Sequence, residues 1–194
     1  RTESVYVPRF YDVDYLPDGR IQRVVPNRAD VPFRVNKRTT MDLDQWPYPK
    51  KPIVPLAESV HERYAVEIFR GCTRGCRFCQ AGMITRPVRE RSIETVGQMV
   101  RQGLEFSGYS EVGLLSLSSA DHTEIGDMCS GLAEQYEGTN VSLSLPSTRV
   151  DAFNIELAQE LSRNGRRTGL TFAPEGGSER IRRVINKKWS ARRT

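Results

Sequence analysis

Residues 67–82 read EIFRGCTRGCRFCQAG, and three of the chain's four cysteines lie inside that stretch. The spacing is Cys72-x3-Cys76-x2-Cys79; the fourth thiol, Cys129, is far downstream. A disulfide framework would spread its cysteines through a small secreted chain. Clustered thiols in a chain with helical periodicity instead point to a reduced, cytosolic protein that binds metal or does redox chemistry. Gly71, Gly75 and Gly82 suit a loop that wraps closely around an inorganic group. Structural zinc closes its shell with four ligands, and a fourth is missing nearby, since Cys129 and His61 are both distant in sequence. An iron–sulfur cube held by three cysteines leaves one iron open for a substrate ligand. The spacing leaves both metals in play.

CTRGCRFC, with the aromatic Phe78 just before its last cysteine, resembles the CxxxCxxC loop of the radical S-adenosylmethionine (radical SAM) enzymes. The longer string over residues 67–96, EIFRGCTRGCRFCQAGMITRPVRERSIETV, is similar to a less characterised bacterial branch of that superfamily. Members of the branch carry a cobalamin-binding domain ahead of the radical SAM domain. The resemblance covers roughly residues 1–188. It implies a 4Fe–4S cluster on Cys72, Cys76 and Cys79, with the open iron chelating the amino and carboxylate groups of S-adenosylmethionine. One-electron reduction, from a reductant such as flavodoxin or ferredoxin, would then release a 5′-deoxyadenosyl radical. Cobalamin on an upstream domain would make methyl transfer to carbon or a ring rearrangement available. The final substrate is not specified, and no further catalytic residue is assigned.

Outward from the cysteine loop the chain alternates strand and helix. Tyr64–Phe69 is a short β-rich run that delivers the loop. Ser92 caps a helix with Ile93, Val96, Met99, Val100 and Leu104 at helical spacing, and Gly108 ends it. Glu111–Leu117 is a second strand, and Ile125, Met128, Cys129, Leu132 and Tyr136 form a second stripe, on which Cys129 reads as core. Val141–Leu145, a helix through Leu161 stopped by Gly165, a strand Thr168–Ala173 and a helix capped by Ser178 complete four βα units. Such repetition permits a barrel or an open doubly wound sheet. The resemblance selects the α/β radical SAM fold, a partial (βα)6, TIM-like barrel, here truncated to about four units. Upstream, YDVDYLPDGRIQRVV reads as a β-hairpin turning at Pro17–Gly19, followed by prolines at 47, 49, 52 and 55 that exclude a helix or central strand. Residues 1–60 are thus expected as an N-terminal arm and linker, and 61–194 as the first part of the core domain. The first residue is not Met and the tail KKWSARRT lacks an apolar pattern, so the chain is expected to be a piece of a longer one.

In parallel-strand barrels the chemistry gathers at the carboxyl ends of the strands. After the first strand, Arg70, Arg74 and Arg77 would offset the cluster's negative charge, with at least one expected in solvent, and Phe78 would pack against an adenine ring. After the second come Ser118, Ser119, Asp121 and His122, where the family often has a Gly-Gly-Glu-like motif for the cosubstrate amino group; this sequence departs from it. Asp121 is an equally good helix cap, and His122 reads as a surface histidine. After the third, Arg149 would meet the methionine carboxylate in a bidentate fork and Ser147 the ribose hydroxyls. After the fourth, Glu175 would accept from the ribose diol or the amino group. The cofactor-binding set is therefore Phe78, Ser118, Ser119, Ser147, Arg149 and Glu175.

The 194 residues carry 38% apolar and 27% charged residues, enough for a core under a polar surface. No apolar run approaches the ~20 residues of a membrane-spanning helix, and no charged-then-apolar leader is visible. Net charge is +5, and 24 of the 29 basic residues are arginines. Arginine favours planar anionic partners, which motivates the alternative function: a zinc-bearing, basic nucleic-acid-binding module using Arg166, Arg167 and the helix Arg180–Lys188. A tRNA methylthiotransferase would carry a second cysteine set upstream, and residues 1–71 contain none.

Overall fold

The computed structural model describes residues 4–146, 148–149, 154–164 and 172–187. The chain divides into two compact units, Arg1–Met41 and Asp42–Thr194.

In the first unit the expected hairpin forms from β1 (Tyr11–Tyr15) and β2 (Ile21–Pro26). They pair antiparallel, Tyr11 opposite Pro26, with a register slip between Asp14 and Tyr15. Gly19 N donates to Leu16 O at 2.9 Å to close the turn. Tyr11 is the buried member of β1, and its hydroxyl donates to Pro32 O at 2.9 Å.

The second unit starts earlier than residue 61, because Leu43 and Asp44 belong to it. Leu43 is buried, its carbonyl accepts from the Arg91 guanidinium, and the Asp44 carboxylate accepts from Ser92 N at 3.1 Å. No helix or strand occurs between Pro26 and Tyr64, as the prolines require. The regular elements then follow: β3 (Tyr64–Glu67), β4 (Phe69–Arg70), α1 (Ala81–Ile84), β5 (Arg89–Glu90), α2 (Ile93–Ser107), β6 (Glu111–Leu115), α3 (Ile125–Gln135), β7 (Ser142–Ser144), α4 (Ile155–Ser162) and α5 (Glu179–Val184).

β3, β6 and β7 make a parallel sheet in that order, with Tyr64 opposite Val112 and Val112 opposite Leu143. This is a mixed α/β architecture with consecutive strands side by side. An isolated parallel bridge joins Thr148 and Phe172 outside these strands; residues 168–171 of the expected fourth strand lie outside the described residues. The single strand expected over Tyr64–Phe69 is divided. After Glu67 the chain leaves the sheet, and β4 pairs antiparallel with β5, Phe69 opposite Glu90. The reason is topological: the two ends of the cysteine loop must meet, and this ladder is their neck.

Helix boundaries follow local chemistry. Ser92 Oγ accepts from Thr95 N at 3.2 Å to cap α2, and Gly108, at φ 70°, ends it with its N–H on Leu104 O. Asn154 and Ser178 cap α4 and α5 in the same way. The apolar stripes of α2, α3 and α4 close over the sheet, where Val66, Val96, Val100, Val112, Leu114, Met128, Cys129, Leu143 and Leu157 form one buried cluster. Among the described residues no helix is long and apolar enough to cross a membrane.

Candidate metal centre

The cysteine loop leaves β4 through Gly71, whose φ is +98°. A Cβ there would lie 2.7 Å from Pro87 O, so only glycine permits the two ends of the loop to cross. Gly82 lies between two of the thiols: a Cβ on it would meet Cys79 Sγ at 3.5 Å and Cys72 Cβ at 3.7 Å. Both sulfurs face backbone donors, Cys79 Sγ from Gly82 N at 3.3 Å and Cys72 Sγ from Arg74 N at 3.5 Å. Cys76, the most buried of the three, has the Arg149 guanidinium 4.0 Å from its sulfur. N–H donors and a cation turned toward sulfur suit thiolates, and hydrogen bonds to sulfur tune iron–sulfur clusters. The donor set therefore fits a cluster held by three thiolates. Among the described residues no three His, Cys, Asp or Glu groups converge on the position of one metal ion. In a cube each thiolate would hold its own iron instead.

Beside the loop is a polar cavity of about 380 Å³, lined by Thr73, Arg74, Asp121, Arg149 and Asn186. It assembles the carboxyl ends of β4, β6 and β7 with the turn after α5. Arg74 forks onto Asp121, Nε at 2.7 Å from Oδ2 and Nη2 on Oδ1. Burial alone would raise the Asp121 carboxyl. The Arg74 fork, Ser118 and the charges of Arg74 and Arg149 outweigh it and hold the group below the ordinary carboxylate value. Asp121 is thus an ionised partner of the cysteine loop and not a helix cap; the N-cap position of α3 is Glu124, which makes no side-chain cap bond.

The structure distributes the expected cofactor residues unevenly. Arg149 enters the cavity. Phe78 is 54% exposed beside Cys79, which excludes a buried apolar plug and leaves a ring face open. Ser118 is buried; its Oγ has no partner of hydrogen-bonding geometry, though it is near enough to Asp121 to favour the carboxylate. Ser119 is turned inward, donating to Leu114 O at 2.9 Å, and does not line the cavity. Glu175, in left-handed backbone at φ 62°, faces Lys187 Nζ at 3.6 Å and is also outside the cavity lining. Ser147 lies outside the described residues.

The expectation for His122 is corrected. His122 is a buried histidine, not a surface one: Nδ1 accepts from Glu124 N at 3.1 Å, so Nε2 carries the proton and donates to Arg91 O at 3.1 Å. The three loop arginines are all exposed, as expected of at least one, and each also has a protein partner: Arg70 meets Glu67, Arg74 meets Asp121 and Arg77 meets the Val184 carbonyl. Cys129 is core, as its position on the helical stripe predicts. In the basic α5 segment, Arg182 donates to Gly176 O at 2.8 Å and Arg183 pairs with Glu179 at 2.6 Å. Sequence reasoning missed Thr73 and Asn186. The signal for Asn186 was its place just past a helix end, where asparagine accepts the left-handed conformation.

Residues 66–194 match the model of the Radical SAM superfamily. An uncharacterized protein of the archaeon Methanocaldococcus jannaschii is 31% identical over 196 aligned residues, covering 93% of this chain and 42% of its own length. The chain thus spans less than half the length of that relative. Taken with the triple-cysteine loop at the mouth of a polar cavity, these matches show that the chain belongs to the radical SAM superfamily, enzymes that work with a 4Fe–4S cluster and S-adenosylmethionine.

Proposed function

We propose that Cys72, Cys76 and Cys79 hold the 4Fe–4S cluster and that the cavity beside them receives the amino acid end of S-adenosylmethionine. The observation that carries this reading is the junction of the loop with the cavity: Arg149 reaches both the Cys76 sulfur and the cavity wall. The cluster, when bound, supplies the electron that splits the sulfonium carbon–sulfur bond into methionine and a 5′-deoxyadenosyl radical. The chain's own residues orient and shield. Arg149 offers a cation to the methionine carboxylate and the exposed Phe78 ring stacks the adenine, whereas Ser119 and Glu175, which do not line the cavity, are given no part in holding the cosubstrate. Arg74, held by Asp121, keeps the loop at the cavity edge.

On this reading residues 1–41 are an arm, and the four βα units are the first part of a (βα)6 core. The reductant is a flavodoxin or ferredoxin, and a cobalamin domain upstream extends the chemistry to methyl transfer or rearrangement. Arrangement of consecutive parallel strands side by side supports the barrel. The test is anaerobic reconstitution with iron and sulfide. About four irons per chain, a brown protein and reductive cleavage of S-adenosylmethionine are expected, and Cys76→Ala abolishes all three. A cluster retained by Cys76→Ala, or a colourless protein that takes zinc instead, overturns the assignment.

A further inference from the structure

We propose that Asn186 is a positioning residue for the cysteine loop: its amide, delivered by the turn after α5, fixes the backbone that carries Cys76. The inference rests on the cluster assignment above. Asn186 Nδ2 donates to Gly75 O at 2.8 Å and to Arg74 O at 3.3 Å. An amide nitrogen has two protons, and the two carbonyls immediately before Cys76 take them. On the other side of Cys76, Arg77 N donates to Ile185 O at 2.9 Å, and the Arg77 guanidinium donates to Val184 O. The backbone on both flanks of one thiol is therefore tied to residues 184–186, more than a hundred positions away in sequence.

The turn that makes these bonds is itself anchored. Asn186 is in left-handed backbone at φ 55°, a conformation asparagine tolerates better than most residues. Lys187 N donates to Arg182 O at 2.8 Å, and Lys187 Nζ lies 3.6 Å from Glu175 Oε1. A Cβ at Gly75 would sit 3.4 Å from Asn186 Nδ2, so the amide fits against bare backbone. Groups that hold a metal ligand in place typically govern affinity by about ten- to a hundredfold.

The test compares Asn186→Asp, Asn186→Gly and Arg183→Ala with the parent chain. Aspartate keeps the shape and the tolerance for left-handed backbone but presents no donor to the two carbonyls. Glycine keeps the backbone freedom and removes the amide. Arg183→Ala removes an exposed ion pair from the same segment. Three readouts are taken: iron release to a chelator from anaerobically reconstituted protein, the electron paramagnetic resonance spectrum of the reduced cluster, and hydrogen exchange over residues 74–79 in metal-free protein. Both Asn186 variants are expected to release iron about tenfold faster, with an altered spectrum and faster exchange in the loop alone, while Arg183→Ala matches the parent. Unchanged release, spectrum and exchange in both Asn186 variants overturn the proposal. A parent that binds no iron refutes the cluster assignment; loop exchange in the metal-free variants still decides whether Asn186 holds the loop.

Discussion

The two classes of cysteine in this chain differ in surroundings more than in sequence context. Cys129 is completely buried on α3, and burial, then the Glu160 charge, pushes its thiol up to about 12. Only a thiolate is a strong nucleophile, so metal-free native protein treated with iodoacetamide at pH 8 is expected to label Cys72 and Cys79, both partly exposed, well before Cys129. Mass spectrometry of the peptides checks this; early labelling of Cys129 refutes its place in the core. The same shift carries a stability consequence. In the unfolded chain the thiol ionises near 9.0, whereas the folded one keeps its proton to about 12. Above pH 9 the unfolded state binds fewer protons than the folded state, so stability falls as pH rises through that window. Tyr64 and Tyr136, also raised mainly by burial, act in the same direction at higher pH. Cys129→Ala is expected to flatten the slope of the urea midpoint between pH 9 and 11. The burial of Cys129 was legible from its helical spacing; the burial of His122 was not. A lone polar residue beside a strand end carries no periodicity, and its burial depends on the Arg91 carbonyl, thirty-one residues earlier, together with the Glu124 N–H.

At the scale of the element, α2 contains two glycines, and they show how far a sequence pattern goes. Gly97 and Gly103 both interrupt the same predicted helix. A Cβ on Gly97 would meet nothing within 4 Å, whereas one on Gly103 would fall inside the Tyr64 ring of β3. Glycine costs a helix interior ~0.5–1 kcal/mol relative to alanine, so Gly97→Ala is expected to stabilise by about that amount. Gly103→Ala forces the ring or the helix aside and is expected to destabilise by ~1–3 kcal/mol. Urea denaturation of both variants gives the sign, and two shifts of the same sign would refute this helix-on-strand packing. Period, cap and stop located α2, α3 and α4 to within a few residues because those are local properties. The division of the first strand into β3 and β4 is not local. It follows from a ladder between Phe69 and Glu90 that closes the cysteine loop, and nothing within residues 64–69 encodes the partner. The wrapped loop itself was legible, because its glycines are a local signal: Gly71 and Gly75 both adopt positive φ.

For the whole molecule, the question is which part of the chain the candidate centre depends on. The buried cluster lies between Tyr64 and Leu161, with Tyr48 packed against it, all within Asp42–Thr194. The bonds that fix the cysteine loop lie in that unit as well: Arg74 with Asp121, Asn186 with Gly75, and Arg91 with Leu43 and Glu67. The hairpin unit has its own internal ties, Asn27 to Asp12 and Tyr11 to Pro32. Hydrophobic burial and hydrogen bonding therefore assign the stability of the centre to residues 42–194. A chain starting at Asp42 is expected to keep its far-ultraviolet circular dichroism, melt within a few degrees of the parent and load the same amount of iron per chain under argon. A further cut to residue 61 removes Leu43 and Asp44, leaving the Arg91 guanidinium without the Leu43 carbonyl and the Ser92 N–H without its carboxylate. Groups left unpaired after burial typically cost ~1–3 kcal/mol each, so the shorter chain is expected to melt lower. Equal stability of the two truncations would show that the proline-rich segment is a passive linker, and loss of iron on removing residues 1–41 would make the hairpin a component of the centre.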